Sequence, residues 1–228
     1  MSFALPFAPA DIRGVIFDMD GLLLDSERIA LATVAEAAAE LGLAWRYEVG
    51  LAMVGLNAQD GPAVIRHHLG DDYPTAALYA AFGRRYEATI AAGRIPVKGG
   101  AAELFDQLDR IALGRVVATS TRRARAEPKL AAVGLLPRVH GMVCGDEVER
   151  GKPAPDIYFA AAARLDVPIA DCLVLEDSNA GVRGALAAGA RVVMVPDLLQ
   201  PADDVRAAGV PLAASLHDLA RFFAGGSP

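Results

Sequence analysis

The sequence predicts an α/β fold: a Rossmann-like parallel sheet flanked by helices, with a small all-helical cap domain inserted after the first strand. Three observations carry this. Short apolar runs alternate with amphipathic stretches, the pattern of a parallel sheet covered by helices. The later runs are spaced as βαβ units require. The interval after the first run is too long for a single crossover, and its excess reads as helical throughout.

Taken in order, strands are expected over 14–18, 115–119, 142–145, 172–176 and 191–195, with core helices over 101–113, 123–133, 156–165 and 179–188. Asp18 and Thr119, at the ends of the first two strands, lie 101 positions apart, where a crossover needs only a few dozen residues. Within that interval, 30–43, 59–69 and 75–92 lack strand alternation and read as helices. Pro96, Gly99 and Gly100 mark the return point. The domain reading is therefore a core of 1–26 plus 97–228 and a helical cap of 27–96. No internal repeat interrupts this, and 225–228 reads as a short frayed tail.

Composition narrows the class. The 228 residues are 54% hydrophobic and 22% charged, enough for a true core and against disorder. Mean hydropathy is +0.31, yet no uncharged run approaches the roughly 18 apolar residues of a membrane span. Residues 1–10 have no basic start and are broken by Pro6 and Pro9, unlike a signal peptide. Cys144 and Cys172 have neither disulfide-framework nor metal spacing and read as small buried hydrophobes, which suits a reducing, cytoplasmic setting. The formal net charge of −6 argues against a nucleic-acid partner, which demands a basic face.

Four strand ends carry residues with chemical potential. The first delivers Asp18-Met19-Asp20-Gly21, where open α/β sheets place their ligands. Such a D-x-D-G arises by chance on the order of once in twenty chains of this length, and alone it reads equally as a solvated acidic turn. The second ends in Ala118-Thr119-Ser120-Thr121, hydroxyl residues in a turn that could cradle a phosphate or simply cap a helix. The third leads into Gly151-Lys152-Pro153-Ala154-Pro155-Asp156, a lysine constrained between glycine and proline instead of free on a helix face. The fourth ends in Glu176-Asp177-Ser178-Asn179-Ala180-Gly181, two adjacent carboxylates that are costly at a sheet edge without a counter-charge, which a divalent cation would supply. Each motif alone has an ordinary structural explanation. All four fall at the carboxyl ends of parallel strands, in an order that brings them to one mouth.

In number, order and spacing these motifs resemble those of the haloacid dehalogenase superfamily, and within it the β-phosphoglucomutase-like and pseudouridine-monophosphate-phosphatase-like branch with its helical cap. The resemblance covers residues from about 12 to 223. It implies a Mg²⁺-dependent phosphatase acting on a small phosphorylated metabolite, a sugar phosphate or similar. Asp18 would be the nucleophile, forming an aspartyl-phosphate. Asp20 would serve as general acid and then base, with a pKa raised by neighbouring negative charge in the substrate complex. Asp18, the Asp20 carbonyl and Asp177 would hold Mg²⁺, with Glu176 direct or through water. Thr119 and the Ser120 N–H would hold phosphoryl oxygens, and Lys152 would offset the repulsion between nucleophile and phosphate. Glu27, Asn57 and Gln59 are candidates for facing the substrate from the cap. A monomer or weak dimer without membrane or nucleic-acid partner is expected.

Four alternatives compete. A phosphoglucomutase needs a cap arginine and histidine, but Ala30 and Ala58 stand at the matching positions. A dehalogenase lacks the second aspartate that is present here as Asp20, and a phosphonate-cleaving enzyme needs a cap lysine, whereas the first lysine in the chain is Lys98. A catalytically silent binding protein would be signalled by loss of Asp18, Asp20, Lys152 or Asp177, and all four are present.

Overall fold

A computed structural model describes residues 4–54 and 60–225 of the chain. Five strands, β1 (Gly14–Phe17), β2 (Arg115–Thr119), β3 (Met142–Cys144), β4 (Cys172–Glu176) and β5 (Arg191–Met194), pair in the order β3-β2-β1-β4-β5. Every pairing is parallel, as predicted. The chain first runs outward from β1 through β2 to β3, then returns to the other side of β1 for β4 and β5. The β1/β4 boundary is thus the point where strand order reverses, and in open α/β sheets a crevice opens there at the carboxyl ends. Asp18 follows β1 directly, while Glu176 ends β4 and Asp177 follows it.

Both faces of the sheet are buried, which explains why its strands read as unbroken apolar runs instead of alternating ones. Val15, Phe17, Val117 and Leu173 face one hydrophobic cluster with α5 (Ala101–Arg110), α6 (Arg123–Ala132) and α10 (Leu216–Phe223). Ile16, Val116, Ala118 and Val174 face another with α7 (Asp156–Leu165) and α8 (Asn179–Ala188).

Between β1 and α5 the chain forms α1 (Ser26–Glu40), α2 (Tyr47–Leu51), α3 (Gly61–Leu69) and α4 (Thr75–Ala91). Val34, Ala37, Ile65 and Leu78 of these helices make a separate hydrophobic cluster. The two chain segments joining this helical insert to the sheet are tied together: the Asp25 N–H donates to the Pro96 carbonyl and the Lys98 N–H to the Leu23 carbonyl, both at 2.8 Å.

The helix over 156–165 and that over 179–188 match the expected bounds, whereas α1 begins four residues before the expected 30. The sequence reading also leaves α2, α10 and α9 (Asp203–Ala207) unassigned; two of the three have only five residues, too short to show a helical period. Among the described residues no helix is long and apolar enough to cross a membrane. Both cysteines are free and buried, and burial pushes their thiols up to about 11, so they remain protonated.

Candidate active site

The mouth at the β1/β4 boundary is built around one ammonium. Lys152 Nζ donates to Asp18 Oδ1 and Glu176 Oε1, each at 2.5 Å, and to the Ala118 carbonyl at 3.0 Å. Its side chain is 5% exposed, so its charge is hardly screened by water. Burial alone would lower the Lys152 pKa, but Asp18 and Glu176 hold it above its ordinary value. Thus β1, β2, β4 and the loop before α7 all meet at this one side chain.

Asp18, Glu176 and Asp177 are buried, and each offers an oxygen within 4.8 Å of the others. Three carboxylates against one ammonium leave two negative charges when all are ionised. Burial first, then the charge of Glu176, pushes Asp18 up against the opposing pull of Lys152. Burial, then Asp18 and Glu176, does the same to Asp177. This deficit and the all-oxygen donor set fit a divalent cation. Glu176 is the most committed member, since Oε1 also accepts from the Tyr158 hydroxyl at 2.7 Å and Oε2 from the Ser178 hydroxyl at 3.1 Å.

Two glycines leave room for these carboxylates. Gly21 has φ +87°, and a Cβ there would lie 2.1 Å from Asp177 Oδ2. A Cβ at Gly181 would lie 2.0 Å from the carboxyl of Glu176. At the start of α8, the Gly181 N–H donates to Ser178 Oγ, so the D-S-N-A-G turn both caps the helix and supports Glu176.

Thr119 ends β2 with 1% exposure, and its Oγ1 accepts the Thr121 N–H at 3.1 Å. Ser120 is exposed on the turn that follows. A Cβ on Gly145, after β3, would lie 2.2 Å from the Ser120 carbonyl oxygen, so glycine there lets the two loops meet.

Asp20 sits in a hydrogen-bond network of its own. Its carboxylate accepts from Ser26 Oγ at 2.5 Å, Thr121 Oγ1 at 2.6 Å and Lys129 Nζ at 2.7 Å. Burial pushes this carboxyl up, but the charge of Lys129 and the hydrogen bonds from Lys129, Ser26 and Thr121 outweigh it and leave its pKa below the ordinary value. In the free site its dominant charged neighbour is thus a cation. Lys129 itself is 4% exposed and lies 5.1 Å from the centre of the Tyr86 ring of α4.

Glu27, in the first turn of α1, has a buried Oε2 without a hydrogen-bond partner among the described residues. Burial, then the charges of Asp197 and Asp20, raises its pKa to about 7. Asn57 and Gln59 lie outside the described residues.

The site thus gathers Asp18, Thr119, Lys152, Glu176 and Asp177, with Asp20 on a separate hydrogen-bonded anchor beside them. Sequence reasoning missed Lys129, Ser26 and Tyr158, and it placed Thr121 in the hydroxyl turn without its bond to Asp20.

A sheet mouth of this kind, with a buried carboxylate cluster gripped by a lysine at a topological switch point, is suited to hold a cation and an anionic ligand at the carboxyl edge of the sheet. Residues 12–189 match the haloacid dehalogenase-like hydrolase family, and the chain belongs to it. Protein CbbY of Rhodobacter capsulatus is 36% identical over 209 residues, covering 87% of this chain and 91% of that protein. Hexitol phosphatase A of Escherichia coli is 34% identical over 215 residues, covering 91% of both. Among solved structures, CbbY from Rhodobacter sphaeroides in complex with phosphate superposes with a TM-score of 0.75 at 29% identity, covering 91% of this chain and 96% of that one. The chain is an enzyme of the phosphatase kind.

Proposed function

We propose that the protein is a Mg²⁺-dependent phosphatase that hydrolyses a small phosphorylated metabolite, a sugar phosphate or similar, through an aspartyl-phosphate on Asp18. The observation that carries this reading is the shared grip of Lys152 on Asp18 and Glu176, beside Asp177 and the buried Thr119. Asp18, Asp177 and the Asp20 carbonyl would hold Mg²⁺, with Glu176 acting directly or through water. The bound ion supplies charge neutralisation for the transferring phosphoryl group.

The remaining work falls to the chain. Lys152 orients Asp18 and lowers the repulsion between its carboxylate and the approaching phosphate. Thr119 and the Ser120 N–H receive phosphoryl oxygens. An Asp18 oxygen bonds to phosphorus as the ester P–O bond breaks, and Asp20 gives its proton to the departing oxygen. Water then attacks phosphorus, Asp20 takes the proton, and the Asp18–phosphorus bond breaks to release phosphate. Asp20 is held ionised in the free site, so the substrate's own negative charge must return it to the protonated form before the first step.

The helical insert would act as the cap that excludes water, with Glu27 facing the leaving group. Ala30, in a position where a mutase needs a cation, offers no grip on a second phosphate, which favours transfer to water over transfer to sugar. The test is phosphate release with Mg²⁺ across about a hundred metabolite esters. Turnover that disappears in Asp18→Asn supports the reading; no release from any ester overturns it.

A further inference from the structure

The chain enters and leaves the helical insert through two segments that lie side by side. Leu24 and Val97 form an antiparallel bridge between them, flanked by the Asp25–Pro96 and Lys98–Leu23 hydrogen bonds. One side chain from each segment reaches the same atom: Arg28 and Lys98 Nζ both donate to Asp197 Oδ1, each at 2.6 Å. Arg28 also donates to Asp25 Oδ1 at 2.8 Å. The Asp197 side chain is 3% exposed, and its Oδ2 has no hydrogen-bond partner among the described residues. A carboxylate buried this deeply is costly unless it is paired, so it is stable only while both cations stay in place. The loop that carries it is fastened at both ends to the acidic turn of the mouth. The Val195 N–H donates to the Glu176 carbonyl at 2.7 Å, the Ala202 N–H to Asn179 Oδ1 at 2.7 Å, and Asn179 Nδ2 to the Gln200 carbonyl at 3.2 Å.

We propose that Asp197 is a positioning residue for phosphoryl transfer: it pins both connecting segments of the helical insert to the turn bearing Glu176 and Asp177. Among the described residues it is the one acidic side chain paired with cations of both segments. The pin fixes the first turn of α1, whose Ser26 hydroxyl donates to Asp20 and whose Glu27 feels the charges of Asp197, Lys98 and Arg28. A misplacement of about 1 Å in such a site can cost about a hundredfold in rate. This kinetic consequence rests on the phosphatase reading above. A second tie between insert and core runs from Glu87 of α4 to Arg125 of α6. Its partners are 62% and 48% exposed, so water and salt screen it and the buried Asp197 carries the hinge.

The test compares Asp197→Ala and Asp197→Asn with the wild type in Mg²⁺, with Glu87→Ala as the control that breaks the exposed tie. Amide hydrogen exchange reads the connecting segments at Asp25 and Lys98, and the sheet at Val15 and Val117. In Asp197→Ala, exchange at Asp25 and Lys98 should rise by about tenfold or more while that at Val15 and Val117 holds. The kcat/KM for the ester turned over fastest in the screen above should fall by about tenfold to a hundredfold, with Mg²⁺ affinity unchanged. Asp197→Asn keeps an acceptor at Oδ1 and should lose less on both counts, and Glu87→Ala should lose little on either. Should Asp197→Ala fail to fold, Arg28→Met and Lys98→Met, each of which removes one arm of the pin, are read in the same way. Exchange that rises equally in the sheet, equal losses in Glu87→Ala, or a loosened hinge with undiminished kcat/KM overturns the positioning role and leaves the phosphatase reading intact. No hydrolysis of any ester by the wild type overturns both.

Discussion

Replacing Lys152 by methionine removes the one ammonium bonded to Asp18 and Glu176 among the described residues and leaves the hydrophobic stem in place. Because its side chain is 5% exposed and its carboxylate partners are 9% and 0% exposed, water cannot take over its role. Breaking a buried pair from one side typically costs about 3–5 kcal/mol. At about 2–4 °C per kcal/mol for a chain of this size, the melting temperature should fall by about 6–20 °C. A charge about 4 Å from the reacting phosphate in a partly desolvated site is worth about 4 kcal/mol, so kcat should drop by about a thousandfold. The stability loss is read by calorimetry in EDTA and the activity loss by phosphate release with Mg²⁺. Adding Glu176→Gln removes the carboxylate that Lys152 otherwise shares with Asp18, so the double variant should melt above Lys152→Met alone. A fall under about 3 °C, no recovery in the double variant, or near-normal turnover by a folded Lys152→Met would refute the argument.

Asp18, with Asp177 and Glu27 shifted the same way, sets the pH dependence of the metal-free protein. Its folded pKa is raised from the ordinary 3.8 to about 8, so the folded state holds the extra proton, and the associated stability is present at low pH and lost as pH rises through about 8. Denaturant melts in EDTA should show declining stability from pH 5 to 8.5, and Mg²⁺ should raise the melting temperature more at pH 8 than at pH 6; the opposite slopes would count against the assignment. Lys129→Met should lower kcat about 10–100-fold by freeing Asp20, with a greater loss on alkyl than on aryl phosphates because only the poorer leaving group needs the acid; equal losses on both would reduce Lys129 to a structural role. Gly21→Ala should weaken Mg²⁺ affinity measured by titration, because its Cβ would lie 2.1 Å from Asp177 Oδ2 at a positive φ that also costs about 1–2 kcal/mol. Unchanged affinity would show that Asp177 can move without consequence.

The sheet was legible because its strands are buried on both faces. Runs such as Val15-Ile16-Phe17 and Leu173-Val174-Leu175 have no polar member, so neither periodicity nor propensity competed with the strand reading. The reach of the first interval exposed the helical insert for a separate reason, chain length. What stayed hidden were elements whose stabilisation is tertiary. Tyr47–Leu51 is one turn and a half long, and only Val49 and Gly50 of it are buried. Leu216–Phe223 did carry a readable stripe at Leu216, Leu219, Ala220 and Phe223, and this was the one sizeable signal passed over.

The site divides along the same line. Asp18, Thr119, Glu176 and Asp177 were readable because a strand end fixes where its next side chains emerge. Asp20's partners were not, since Ser26, Thr121 and Lys129 reach it across 6, 101 and 109 positions of sequence. Lys129 nevertheless left a trace. It lies three residues beyond Ala126 and next to Leu130, both fully buried, so it belongs to the apolar face of α6. A lysine on that face must either snorkel to water or find an anion. The same reasoning applies to Tyr158, one residue after Ile157 on the buried side of α7, whose hydroxyl needed a partner and found Glu176. A polar side chain on an otherwise apolar helix stripe can therefore point across the fold to the acid it holds, as Lys129 and Tyr158 do, whereas the buried Thr33 and Asp218 are satisfied by nearby backbone.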